Sequence, residues 1–299
     1  MHRVSRRLAA VGAPLITALA LVVSSLTVFG FATSASAATT SVFYLDIGAS
    51  VSVGVQPTPS APQGQPTDRG YANRLVTLEA SKGITLRLTE LGCPGESTTT
   101  MITGGDRCYQ APDNQLADAV TYLQAHHVQT GLVTLDLGFN DIVSCLRGAI
   151  VDTTCVNQNL TLLARQLPQI ISALKSAAGP NVTFIGLNHY NPYTARALLG
   201  AKGIQFAQDS TTVLRQLNDL LQQIYASYAI PMANVVRAFN SDARQGTRSN
   251  YMRSMPINVQ EACNLTWMCR TGHYGPNLHP NNAGYEAITD AIAALLPKW

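Results

Sequence analysis

The chain has 299 residues, 46% of them hydrophobic, with 20 basic and 17 acidic side chains. Three of the arginines, Arg3, Arg6 and Arg7, fall in an N-terminal stretch that holds no acid, so the rest of the chain balances at 17 and 17. A neutral chain offers no electrostatic case for binding nucleic acid or acidic membranes, and its length suits one large α/β domain with a proper core.

The N-terminus reads as an export signal: a basic start, an apolar stretch from Leu8 to Phe31, then Ala35-Ser36-Ala37 as an A-x-A cleavage site. Ser5-Arg6-Arg7 hints at twin-arginine export. The alternative is an uncleaved anchor, because the apolar stretch is long enough to span a bilayer. The expected organisation is a cleaved signal at 1–37 followed by a single domain at 38–299.

A first buried strand is predicted at Val42 to Leu45, and it runs into Gly48-Ala49-Ser50-Val51-Ser52-Val53-Gly54. Ser52 stands where the nucleophile elbow G-x-S-x-G needs its second glycine, so that motif fails. A segment rich in proline follows, Gln56 to Gly70, either a stiff rim over a site or a plain surface connection. The second strand, Ile84 to Leu91, leads into Gly92-Cys93-Pro94-Gly95-Glu96-Ser97-Thr98, where a glycine N–H can face an anion or simply punctuate a turn. The third, Leu132 to Leu137, leads into Gly138-Phe139-Asn140-Asp141, an amide donor or an Asx turn.

Leu160, Leu163, Leu167, Ile170 and Leu174 then mark one face of a helix that Pro168 is expected to kink. A fourth strand, Val182 to Leu187, precedes His189. A second helix carries Val213, Leu217, Leu220, Ile224 and Tyr228, and a weaker strand is expected around Val235. Pro276-Asn277-Leu278-His279 precedes a last amphipathic stretch from Asn282 to Leu296.

Strands alternating with helices imply a three-layer α/β/α sandwich with a central parallel sheet of about five strands. Ligands bind beyond the carboxyl ends of such strands, so the loops after them are where chemistry is expected. Six cysteines in an exported chain favour disulfides, with the connectivity open from sequence alone; they fall as three close pairs along the chain. None has the C-x-x-C spacing of a zinc site.

Singly, each loop motif is ordinary turn punctuation. In order, they resemble the SGNH or GDSL family of serine esterases and lipases: GASVSVG around Ser50, GCPGESTT around Gly95, GFND around Asn140 and NLHPNNAGY around His279. The resemblance covers nearly the whole mature chain. It extends to Cys93 with Cys108, Cys145 with Cys155, and Cys263 with Cys269, the last enclosing a segment similar to the secreted actinobacterial branch.

The resemblance implies an SGNH, flavodoxin-like fold and a secreted, extracellular hydrolase of small-molecule or lipid esters. It implies Ser50 as nucleophile, His279 as base, and the Ser50 and Gly95 N–H groups with the Asn140 side chain as oxyanion donors. No metal or organic cofactor, no nucleic acid, no stable membrane anchor after signal cleavage and a monomeric state are expected. The alternatives are a polysaccharide deacetylase on the same machinery and a noncatalytic binding protein with the SGNH fold. The sequence departs from the family at two places: Ala49 stands where aspartate is usual, and Pro276 stands where D-x-x-H has its acid. The backbone carbonyl of Pro276 is therefore the expected partner that orients His279.

Overall fold

In the computed structural model, which describes residues 40–243 and 255–299, the first apolar run extends into a strand, β1 (Thr40–Gly48). The expected signal at 1–37 lies outside the described residues. Four more strands join β1: β2 (Ile84–Glu90), β3 (Thr130–Asp136), β4 (Thr183–Leu187) and β5 (Met232–Ala233). Their order is β2-β1-β3-β4-β5 and every neighbouring pair is parallel. This is the expected parallel five-stranded α/β architecture.

The helices between them are α1 (Tyr71–Ala80), α2 (Thr98–Thr103), α3 (Gln115–Ala125), α4 (Phe139–Val143), α5 (Thr153–Ala177) and α6 (Ala201–Ser227). Three more follow β5: α7 (Val235–Ala238), α8 (Ile257–Leu265) and α9 (Asn282–Ala293). Side chains alternate across a strand, so β1 serves two cores. Val42 and Tyr44 pack with Leu132, Ile185 and the α1 and α9 residues Tyr71, Leu75, Tyr285 and Ile288. Leu45 and Ile47 pack with Val133 and Leu135 against Leu163 and Leu167 of α5 and Leu217 and Leu221 of α6. Burial on both faces is what makes the strands read as continuous apolar runs.

Pro168 lies inside α5, which continues through it. One sequence expectation shifts. The weak strand is only Met232–Ala233; Asn234 caps the next turn by accepting the Arg237 N–H at 2.9 Å, so Val235 opens a helix instead. Among the described residues no helix is long and apolar enough to cross a membrane.

The strand order reverses between β1 and β3, which leaves a crevice at their carboxyl ends. Gly48 and Asp136 are paired there. A Cβ on Gly48 would lie 2.4 Å from the Asp136 carbonyl oxygen, and Gly48 has φ +145°, so only glycine lets the chain leave β1 against β3.

Candidate active site

The turn after Gly48 separates its two serines. Ser52 is fully buried: its hydroxyl donates to the Ala49 carbonyl at 2.7 Å and its N–H donates to Asp136 Oδ2 at 3.2 Å. Ser50 is only partly buried and lines a cleft of about 270 Å³ at the crevice. The Val55 N–H closes the turn on the Ser50 carbonyl at 3.0 Å. Ser52 is thus a brace and Ser50 faces the solvent side.

Gly95 and Asn140 line the same cleft. Gly95 has φ +99°, a conformation that presents glycine backbone without a Cβ penalty. Its turn is tethered by the Cys93–Cys108 bridge, whose Cα atoms lie 5.9 Å apart. Asn140 stands at the start of α4 and donates one amide hydrogen to the Glu96 carbonyl at 3.0 Å. An amide has two hydrogens, so one donor remains. Cys145 bridges Cys155, and Cys263 bridges Cys269, as the resemblance implied.

His279 lies on a short strand, Asn277–Pro280, that pairs antiparallel with Thr266–Trp267 inside the Cys263–Cys269 loop. Here the expected orienting partner is corrected. Nδ1 of His279 meets the Asn277 side-chain Oδ1 at 2.7 Å, and Asn277 Oδ1 also accepts the His279 N–H at 2.9 Å; the Pro276 carbonyl is not the partner. The amide orientation follows from its other end, because Asn277 Nδ2 donates to the carbonyls of Pro62 and Gln63 at 3.3 and 3.1 Å. With two carbonyls claiming the NH₂, the oxygen must face the ring, and Nδ1 must carry the hydrogen. Nε2 is left as the acceptor. Burial lowers the His279 pKa to about 4, so the ring is neutral near pH 7.

Pro62 and Gln63 belong to a hairpin, Gln56–Thr58 with Ala61–Gln65, in the segment rich in proline. Gln63 and Gly64 line the cleft. That segment is therefore a rim, and it also holds the amide that orients the histidine. Its sequence separation from Asn277 hid this role from sequence reading.

Two further polar groups in the cleft were not singled out as a pair, Asp136 and His189. His189 Nε2 is taken by the Leu137 carbonyl at 2.8 Å, and its Nδ1 stands 3.7 Å from Asp136 Oδ1. Asn218 grips the His189 backbone at both N–H and C=O, at 2.8 and 2.9 Å. The ring is a tie between the β3 and β4 loops through Nε2, while Nδ1 faces Asp136 beyond hydrogen-bond distance. Burial raises the Asp136 pKa, partly offset by His189. Asp136 ends β3 and lies inside the third apolar run, and a carboxylate at that position was the available signal.

The other acids beside the motifs have different tasks. Asp46 is fully buried and accepts from Tyr71 Oη at 2.7 Å and Thr134 Oγ1 at 2.5 Å. Asp141 accepts the Thr98 N–H and hydroxyl at the start of α2. Among the described residues, one close grouping has metal-ligand chemistry, Cys93, Asp106 and Cys108. Its two sulfurs are bonded to each other and so do not serve as thiolate ligands.

Residues 47–287 match the model of the GDSL-like lipase/acylhydrolase family. No curated protein sequence matches the chain. Among solved structures, the chain is similar to an extracellular lipase from Streptomyces rimosus, with TM-score 0.53 and 14% identity over 85% of this chain and 99% of that one. It is similar to a phospholipase A1 from Streptomyces albidoflavus, with TM-score 0.52 and 16% identity over 84% and 98%. A variant of an acetyl xylan esterase from Geobacillus stearothermophilus gives TM-score 0.52 and 14% identity over 85% and 94%. At these identities the structural likeness establishes the fold.

Proposed function

We infer, from the premise that this chain belongs to the GDSL-like lipase/acylhydrolase family and is a carboxylic ester hydrolase, that Ser50 is its nucleophile and His279 its general base. The carrying observation is that His279, with Nδ1 held by Asn277 and Nε2 left as acceptor, shares one cleft with Ser50, Gly95 and Asn140. Nε2 takes the Ser50 proton as Oγ attacks the ester carbonyl. The negative oxygen that forms meets the Ser50 and Gly95 N–H groups and the second Asn140 amide hydrogen. His279 then returns the proton to the leaving alcohol, and water enters the same route in reverse to release the acid. These steps are complete without a metal or organic cofactor.

Val51, Val55, Phe139, Val143 and Leu278 give the cleft an apolar wall. A volume of about 270 Å³ is at the lower edge of ordinary ligand pockets, which favours short acyl groups over long lipid chains. The export signal and three disulfides support a secreted, extracellular protein of one domain at 38–299. The motif enclosed by Cys263 and Cys269 supports the actinobacterial branch. The protein is read as a monomer without a retained membrane anchor.

The function is tested on the mature protein with esters from acetate to long-chain acyl groups, acetylated polysaccharide among them. Hydrolysis should be greatest with short acyl chains and absent in Ser50→Ala. Folded protein that hydrolyses none of them would favour a binding protein.

Asn277 carries its own prediction. Losing a neutral hydrogen bond to a partly buried donor costs about 1–3 kcal/mol, so Asn277→Ala should lower kcat roughly 10- to 100-fold with KM little changed. Asn277→Asp places a carboxylate at Nδ1, which favours the imidazolium. The acidic limb of the pH–rate profile should then rise. Full activity in Asn277→Ala would return the orienting role to another group.

A further inference from the structure

The turn bearing Ser50 and the turn bearing Gly95 are joined by a buried clamp that the chemistry above does not use. Gln115, the first residue of α3, is fully buried. Its Oε1 accepts the Gly48 N–H at 2.8 Å, and its Nε2 donates to the Gly48 carbonyl at 3.0 Å and to Glu96 Oε2 at 2.8 Å. The reason lies in the sheet. β2 pairs with β1 only as far as Asp46 with Glu90, after which its chain turns away toward Gly95. The Cys93 N–H still reaches the Gly48 carbonyl at 3.0 Å, but the Gly48 N–H has no strand partner on that side, and the Gln115 amide oxygen supplies it while its nitrogen adds a second donor to the carbonyl.

Glu96 is the other half. It is fully buried, follows Gly95 directly, and its carbonyl accepts the Asn140 amide hydrogen at 3.0 Å. Its carboxyl takes the Gln115 amide on one oxygen and the Thr100 hydroxyl on the other. One residue therefore touches the supports of both oxyanion donors outside the serine turn and, through Gln115, the backbone two residues before Ser50.

We propose that Gln115 and Glu96 are positioning residues that fix the separation between the nucleophile turn and the Gly95 and Asn140 donors. This rests on the assignment of Ser50, Gly95 and Asn140 given above. The titratable groups that face Glu96 are Asp106 and Tyr109 on the cysteine-bridged loop; its other neighbours, Thr100 on α2, Gln115 on α3 and Asn140 on α4, are neutral. Among the described residues no cation forms an ion pair with it. Asp106 Oδ2 is buried without a hydrogen-bond partner, and the Asp106 carboxyl acts on Glu96 as a second acid. Burial, with Asp106 adding to it, raises the Glu96 pKa to about 8. Above that pH a carboxylate with no cation stands in the clamp beside a second carboxylate, and the two turns are pushed apart.

The test is the pH dependence of kcat in the mature protein, with a neutral short-chain ester whose own alkaline hydrolysis is subtracted. Wild type should show a falling limb near pH 8. Glu96→Gln cannot ionise and should lose that limb. Thr100→Val removes a donor that favours the carboxylate and should move the limb upward. Gln115→Met should lower kcat about 10- to 100-fold with KM within about threefold, the pattern of misplaced transition-state donors. A wild-type limb absent below pH 9, or one that is the same in Glu96→Gln and Thr100→Val, overturns the proposal. Should Gln115→Met not fold, the comparison of limbs decides alone. If no ester is hydrolysed at any pH, the assignment of the site fails first, which separates the two ideas.

Discussion

Ser50→Ala is expected to reduce ester hydrolysis by at least about 10,000-fold while the protein stays folded. Removing the nucleophile of a serine hydrolase abolishes the covalent route, and what remains comes from the oxyanion donors and binding, so losses of roughly 10⁴- to 10⁶-fold are usual. The fold should be indifferent, because the turn is closed through the Ser50 carbonyl rather than its hydroxyl, and a partly exposed serine outside any cap or network shifts stability by about 0.5 kcal/mol or less. Ser52→Ala is the opposite case. Its buried hydroxyl donates to Ala49 at 2.7 Å, so its loss should cost about 1–3 kcal/mol of stability and leave the rate per folded molecule within about tenfold. A dead Ser52→Ala beside an active Ser50→Ala would mean that the nucleophile has been assigned to the wrong serine.

The second large effect is expected at His279. His279→Ala removes the group proposed to take the serine proton, and the loss should again be of the order of 10⁴-fold or more. Because the two residues act as one unit, the double variant Ser50→Ala with His279→Ala should be no slower than either single one. With His279 as the proposed base, the histidine should also set the acidic side of the pH profile. Only the neutral ring can accept the proton, and burial lowers its pKa to about 4. The kcat/KM of the free enzyme should therefore rise through about pH 4 and be level by pH 6. A rise centred at the ordinary value near 6.5 would show a ring more hydrated than this geometry allows.

The fold was largely readable because buried parallel strands announce themselves as apolar runs, and four of the five were anticipated to within a few residues. The fifth was misplaced at Val235 for a local reason. Only two residues reach β4, and Asn234 turns the chain into a helix immediately after. The motifs around Ser50, Gly95, Asn140 and His279 were legible as segments following the strands, and the structure brings the four residues to one cleft. What could not be read was how they are held. The orienting amide of Asn277 depends on two carbonyls of a hairpin near the other end of the chain. Gln115 looks like any residue at a helix start until Gly48 is seen to need a partner. Sequence spacing reports periodicity and turns, whereas these contacts depend on which loops the sheet order brings together.

The central claim, that Ser50 is the nucleophile, is tested most directly by treating the folded mature protein with a fluorophosphonate and mapping the adduct by mass spectrometry. Attack by Ser50 Oγ on phosphorus expels fluoride and leaves a stable phosphonyl ester. The account predicts close to one adduct per chain, on the peptide holding Ser50, and none in Ser50→Ala. An adduct on Ser52 or elsewhere, or folded protein that stays unlabelled, would contradict it.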